Sequence, residues 1–303
     1  MRRWVKRIAV AVLAIVLLLG VVGATLYGVT GRYFNRKYEI KAESVNIPSD
    51  AAAVERGKRF ANAIGKCTDC HGANLQGHVM INDPMFAILA APNLTSGKGG
   101  VAANYKTDAD WIRSLRHGVR PDGSALLFMP SQYYYHLSDQ DLGDIVAYLK
   151  SLPPQDNEVP ARAIGPIARA LTAAKKLPPL PVEQIDHDAP RPADVAPGVT
   201  VEYGKYMAVV GGCEGCHRAN LAGGKDAFGP PGAPPPSNLT PAGALATWSE
   251  QDFFNALRTG KRPDGSNIDP FMPWRFTAQM TDDEIRALWL YIKTLPPTPT
   301  PEK

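Results

Sequence analysis

Two short stretches of the chain combine residue types that could do chemistry. Residues 66–77 read KCTDCHGANLQG, and residues 212–223 read GCEGCHRANLAG. Each is Cys-x-x-Cys-His followed by Ala-Asn-Leu-x-Gly. The first holds Cys67, Cys70 and His71; the second holds Cys213, Cys216 and His217. The chain has 4 cysteines and all lie here, so none is left for a structural disulfide. Three chemistries use such spacing. A redox dithiol needs one Cys-x-x-Cys, normally in a β-α-β context, and no following His. A zinc site takes two Cys-x-x-Cys pairs, usually ~15–20 residues apart, whereas 142 residues separate Cys70 from Cys213. Covalent haem attachment places His directly after the second Cys. Two thioethers then fix the porphyrin edge to a short helical turn, and the next residue projects its imidazole toward the iron. Two such motifs in one repeated framework point to two covalently attached haem c groups.

The repetition extends well beyond the cysteines. Glu55-Arg56-Gly57-Lys58 pairs with Glu202-Tyr203-Gly204-Lys205, and Asn93-Leu94-Thr95 with Asn238-Leu239-Thr240. Arg120-Pro121-Asp122-Gly123-Ser124 returns as Arg262-Pro263-Asp264-Gly265-Ser266, and Phe128-Met129-Pro130 as Phe271-Met272-Pro273. Leu149-Lys150-Ser151-Leu152-Pro153-Pro154 matches Ile292-Lys293-Thr294-Leu295-Pro296-Pro297. Two copies are too few for a solenoid, so they read as two domains, 50–154 and 200–298. The Pro/Ala-rich stretch 155–199 between them reads as an extended connector with a short basic helix over 167–176, or as a strap packed along the domains.

The elements that must position these motifs read as helices. Segments 51–64 and 201–210 lead into the cysteines. Segments 108–118 and 249–260 each end in Gly, a usual helix stop. The last helix of each copy starts with Ser138-x-x-Asp141 or Thr281-x-x-Glu284 as a capping box and stops at Leu-Pro-Pro, since proline cannot continue it. Leu142, Ile145, Val146 and Leu149 share one helical face. No convincing alternating strand is visible.

Each half resembles a class I c-type cytochrome. The resemblance implies an all-α fold: two class I cytochrome c domains in tandem after an N-terminal transmembrane helix. It covers 50–154 and 200–297. It matches Gly57 and Gly204 to the small residue where the first and last helices cross, and Tyr148 and Tyr291 to the aromatic on the last helix. The Pro-Asn-Leu-Thr, Arg-His-Gly-Val-Arg-Pro-Asp-Gly and Met-Pro phrases are similar to the cytochrome subunits of periplasmic quinoprotein and flavoprotein dehydrogenases. Those usually carry three haem motifs, and this chain has two.

A six-coordinate iron needs a second ligand. In the first half the candidates are His78, His117, His136, Met80, Met85 and Met129. Aligned by the repeat, His78 faces Gly224, His117 faces Thr259 and His136 faces Gln279. Only Met129 meets its own kind, Met272, on a loop before the final helix where the family places its methionine. His71 with Met129, and His217 with Met272, are the expected iron ligands; the alternative is that both methionines are core fillers. Arg120 and Arg262 start a Pro-Asp-Gly turn or hold haem propionates. Trp111 and Trp248 read as core, and His187 as solvated.

The N-terminus carries Arg2, Arg3, Lys6 and Arg7, then 20 uncharged residues from Ile8 to Tyr27. That length spans a bilayer, for which ~20 residues suffice, whereas a signal peptide's apolar region is roughly 7–15 residues. Residues 1–36 therefore read as a single-pass anchor in a bacterial cytoplasmic membrane, with the basic end inside and both domains on the periplasmic side. A signal peptide cut after Ala24 is the alternative. The net charge of +4, without a basic stripe interleaved with aromatics, excludes nucleic acid as a partner. The reading is an electron carrier, not an enzyme, between a donor (a dehydrogenase or quinol-oxidising complex) and an acceptor such as an oxidase. A dihaem peroxidase, a thiosulfate-oxidising protein and a purely structural subunit are the alternatives.

Overall fold

The computed structural model describes residues 2–224 and 232–301. The chain opens with α1 (Arg2–Phe34), whose apolar window has none of its residues buried and which is long and apolar enough to cross a membrane. The first repeat follows. Asp50 caps α2 (Ala51–Ala63) by accepting from the Ala53 N–H at 2.9 Å, which satisfies one of the open donors of the first turn. Buried Ala53, Gly57, Phe60 and Ala61 fall at helical spacing, so one face of α2 packs inward. Then come α3 (Cys67–His71), α4 (Asp108–His117), α5 (Ser131–Tyr134) and α6 (Asp139–Lys150).

The connector supplies α7 (Pro166–Ala173). The second repeat runs through α8 (Val201–Val210), α9 (Cys213–His217), α10 (Glu250–Thr259), α11 (Trp274–Thr277) and α12 (Asp282–Thr294), in the same order as the first. Gly118 ends α4 at φ 67° and Gly260 ends α10 at φ 68°, a left-handed cap that glycine adopts without Cβ cost. Side chains at Thr107 and Ser249 complete capping boxes with Asp110 and Asp252.

In each repeat the first helix crosses the last at a glycine. A Cβ on Gly57 would overlap the carbonyl oxygen of Asp144 in α6, and one on Gly204 would overlap that of Ala287 in α12. The absence of a side chain lets the two backbones touch. Leu142, Ile145, Val146 and Leu149 of α6 are buried, as are Ile285, Leu288, Trp289 and Ile292 of α12. One continuous apolar cluster includes these residues, Trp111 and, at its edge, Trp248.

The fold is all-α apart from a small sheet that the sequence does not announce. β1 (His78–Asp83) and β2 (Ala87–Ala91) form an antiparallel hairpin, and β3 (Ala163–Ile164) from the connector pairs with β2. The register of β1 shifts between Val79 and Ile81. Such an irregularity breaks the alternation by which a strand is read, and no residue of β1 is buried.

The connector is a strap along the first repeat rather than a free linker. Leu180 and Val182 join Val119 and Ala125 in a second apolar cluster edged by Tyr33, Phe34 and Tyr38. Farther on, the carbonyls of Pro192 and Ala193 accept from the N–H groups of Asp139 and Gln140 at the start of α6. His187, expected to be solvated, instead meets buried His117, with 2.8 Å between their Nδ1 atoms. His117 Nε2 lies 2.9 Å from Glu43, whose other oxygen pairs with buried Arg116. Sequence spacing alone could not bring positions 43, 117 and 187 together.

The two repeats meet in a reciprocal way. Arg59 Nη1 of α2 donates to Glu284 Oε1 of α12 at 2.6 Å. Tyr206 of α8 sits where Arg59 sits in the first copy, and its hydroxyl donates to Asp141 Oδ2 of α6 at 2.5 Å. Asp141 and Glu284 are themselves equivalent, each the acid three residues past its N-cap. The interface is thus pseudo-two-fold, the arrangement expected when two copies of one surface pair with each other.

Candidate functional site

Both cysteine turns start from a left-handed residue: Lys66 at φ 52° before α3 and Gly212 at φ 67° before α9. Three residues apart on one helical turn, the two cysteines of each motif share a face. No disulfide joins any of them. Burial pushes the Cys67 thiol up to about 12 and raises Cys70, Cys213 and Cys216 as well. A redox dithiol needs a lowered thiol pKa, so these sites are poorly suited to disulfide exchange. Among the described residues no three of His, Cys, Asp and Glu converge as a metal cluster, so the motifs do not merge into one zinc site.

The histidines are held alike. His71 Nδ1 lies 2.8 Å from the Pro92 carbonyl oxygen, and His217 Nδ1 lies 2.7 Å from that of Ser237. A carbonyl can only accept, so each Nδ1 carries the proton and each Nε2 keeps its lone pair for a metal. Burial lowers the pKa of both rings, which favours the neutral imidazole that a metal ligand requires. The residues of both repeats therefore fit a covalently attached haem.

The rest of each motif places that carbonyl. Leu75 and Leu221 are buried at φ 56° and 57°, a conformation costly for a side chain with a Cβ. Their carbonyls accept from the N–H groups of Leu94 and Leu239, both at 2.8 Å. Asn93 Oδ1 takes the Thr95 N–H and hydroxyl, and its Nδ2 donates to the Gln155 carbonyl at 2.6 Å. Asn238 repeats this with Thr240 and the Thr298 carbonyl. The Asn-Leu-Thr phrase thus ties the His-orienting segment to the chain just past the last helix of its own repeat. The roles of Pro92 and Ser237 were missed in the sequence, because a backbone carbonyl has no residue signature; the repeated Asn-Leu-Thr was the available signal.

Met129 and Met272 occupy matching loops. Their carbonyls accept from Ser131 and Trp274, and the following prolines have nearly identical backbone angles. Both side chains are partly buried against the same apolar cluster as Cys67 and Cys213. Of the rival candidates, four are engaged or exposed. His117 has both ring nitrogens engaged, Met85 is 55% exposed on the β1–β2 turn, and His78 and His136 are exposed. Arg120 and Arg262 close their turns onto the carbonyls of Ala125 and Asn267, each at 2.6 Å.

The two cysteine turns touch. Lys66, next to Cys67, donates from Nζ to the Gly211 carbonyl at 2.7 Å, two residues before Cys213. The Tyr133 ring covers the second motif, where a Cβ on Gly212 would come within 3.0 Å of it and one on Gly215 within 2.7 Å of its hydroxyl.

A sequence profile described as "Cytochrome c" matches residues 54–153 and 201–296. The chain is 27% identical over 285 aligned positions to the "Alcohol dehydrogenase (quinone), cytochrome c subunit" of Gluconacetobacter polyoxogenes, covering 83% of this chain and 58% of that protein. It is 28% identical over 321 positions to a "Diheme cytochrome c-type" protein of Cereibacter sphaeroides, covering 96% and 99%. It is 27% identical over 272 positions to the "Fructose dehydrogenase cytochrome subunit" of Gluconobacter japonicus, covering 82% and 54%. The chain thus spans little more than half the length of the two dehydrogenase subunits.

Proposed function

The chain belongs to the cytochrome c family, and we propose that it is an electron-transfer subunit that passes electrons through two haem c groups. Haem c supplies a one-electron ferric/ferrous couple at each site. Cys67 and Cys70 hold one group by thioethers and Cys213 and Cys216 the other. His71 and His217, oriented by the Pro92 and Ser237 carbonyls, would ligate the irons. Met129 and Met272 would supply the second ligands, and thioether ligation would favour a high potential. Arg120 and Arg262 have further guanidinium donors, beyond those closing their turns, to offer haem propionates.

With a His and a Met both held to each iron, neither site would have a vacancy for substrate, and the chain would carry electrons rather than catalyse a reaction. The contact of Lys66 with Gly211, and of Tyr133 with Gly212 and Gly215, brings the attachment turns together and supports transfer from one site to the other within the chain. The electron donor is a dehydrogenase or a quinol-oxidising complex and the electrons pass to a terminal acceptor such as an oxidase; similarity to the dehydrogenase subunits supports the donor. α1 anchors the protein in the cytoplasmic membrane with both repeats on the periplasmic side.

The observation that carries this reading is that each repeat holds its His by the same Nδ1-to-carbonyl bond. Acidified solvent extraction of the denatured holoprotein, with intact mass, tests it. Two haems should stay on each chain; release into the solvent would refute covalent attachment.

A further inference from the structure

Outside α1, the exposed large apolar side chains among the described residues are Met85, Phe128, Ile167, Val199 and Phe271. Two of these are neighbours: the Ile167 N–H donates to the Met85 carbonyl at 3.0 Å. Both stand where the connector runs alongside the end of α1.

The course of the connector along α1 can be followed bond by bond. Arg162 donates to the Phe34 carbonyl at 3.0 Å. Arg169, on α7, donates to Thr30 Oγ1 at 2.9 Å, and its guanidinium lies 4.4 Å from the Tyr27 ring centroid. Later the Leu180 N–H donates to the Tyr33 hydroxyl at 3.1 Å. The connector therefore descends from the level of Phe34 to that of Tyr27, about 10 Å at 1.5 Å per residue, and climbs back. Its lowest part, α7 and the turn after it, lies beside the end of the uncharged stretch of α1.

The composition of that part suits lipid. Ala168 of α7 is buried against the protein, while Ile167, Ala170 and Ala174 are exposed at i, i+3 and i+7. An exposed helical face in water normally carries polar residues. Two exposed lysines, Lys175 and Lys176, follow at once. An apolar stripe edged by lysines is the pattern of a helix lying in a membrane interface.

We propose that α7 and the β1–β2 turn form a second contact with the membrane, on the leaflet facing the two repeats. Met85, Ile167, Ala170 and Ala174 enter the headgroup–acyl boundary, and Lys175 and Lys176 pair with anionic lipid phosphates. This rests on the reading of α1 as a membrane span. An eight-residue helix binds lipid weakly alone, but the tether raises its effective concentration enough for a weak contact to persist. With two points of attachment, the first repeat no longer swivels about α1, and the height of the Cys67 turn above the lipid is fixed.

The thioethers consume all native cysteines, so Ala170→Cys gives the holoprotein a unique thiol for a spin label. Leu18→Cys in α1 and Thr247→Cys on the exposed surface of the second repeat serve as references. Each labelled full-length protein is placed in vesicles of phosphatidylcholine and phosphatidylglycerol, and collisions with oxygen are compared with those of a water-soluble nickel chelate. The label at 170 should favour oxygen, like that at 18, while the label at 247 favours nickel. Adding Lys175→Glu and Lys176→Glu should raise nickel access at 170 by about fivefold. Nickel access at 170 equal to that at 247, with 18 still in lipid, would overturn the platform and leave the span standing. Nickel access at 18 would overturn the span and the platform with it.

Discussion

Arg59 and Glu284 pair across the boundary between the two repeats, with Nη1 2.6 Å from Oε1. Glu284 is almost wholly buried and also receives the Tyr203 hydroxyl at 3.3 Å and the Thr281 N–H at 2.8 Å. Removing one partner of a buried pair strands the other charge. Arg59→Ala is expected to lower the stability of the holoprotein by about 2 kcal/mol, less than a fully buried pair would lose because Arg59 is itself partly exposed. Tyr206→Phe at the reciprocal contact removes two hydrogen bonds, the one the hydroxyl donates to Asp141 and the one it accepts from the Ser138 N–H, and should cost about 2 kcal/mol. Guanidinium denaturation checks both; an unchanged midpoint in Arg59→Ala would show that the pair does not hold the repeats together.

Gly57→Ala and Gly204→Ala should each be strongly destabilising. An exposed helix gains up to about 1 kcal/mol from such a change. Here the new Cβ would overlap a backbone carbonyl of the last helix, and forced separation of packed elements costs about 3 kcal/mol. Thermal unfolding separates the two outcomes by sign.

How much of this was legible follows from where each signal resides. Helix stops at Gly118 and Gly260, the caps at Ser138 and Thr281, and the paired motifs are local, and the sequence announces them. The β1–β2 hairpin is not announced, because its first strand has an irregular register and no buried face. The strap is offered by the sequence only as an alternative to a free linker, because its contacts, such as His187 on His117, join positions 70 residues apart. Of the proposed site, Cys, His and Met recur as residue types and can be read by aligning the copies. The carbonyls of Pro92 and Ser237 act through the backbone, so only the Asn-Leu-Thr that positions them leaves a trace.

The Glu43 cluster gives a pH dependence. Burial alone would raise the Glu43 carboxyl, but bonds from His117 and Arg116 outweigh it and hold the pKa at about 2, against an ordinary 4.5. A folded-state pKa below the unfolded value contributes stability that is complete above about 4.5 and is lost as pH falls toward 2. Wild type should lose about 2 kcal/mol over that window through this group, after discounting for its partial exposure. Glu43→Gln should start less stable at pH 6 and show a shallower acid limb. Denaturant titrations at pH 6 and pH 3 measure it.

Lys66 carries a cation between the two cysteine turns, close enough to act on Cys67, Cys213 and Cys216, and burial lowers its pKa. A cation nearby disfavours the oxidised, more positive iron. Lys66→Met is expected to lower both midpoint potentials by tens of millivolts, whereas a surface change such as Lys106→Met should move neither. Spectroelectrochemical titration checks this, and a shift confined to one haem would show that Lys66 serves only its own motif.

The central claim is that both repeats ligate iron by the same His/Met device, and the near-infrared spectrum of the oxidised protein tests it most directly. Methionine ligation gives a weak sulfur-to-ferric charge-transfer band, and the wild-type intensity should correspond to two low-spin sites. Met129→Ala should remove about half of the band and Met272→Ala the other half, each lowering one midpoint potential, since thioether ligation favours the reduced iron. His117→Gln should leave the band whole. A full-strength band after Met129→Ala or Met272→Ala, or a native high-spin haem that binds cyanide rapidly, would contradict the account for that repeat.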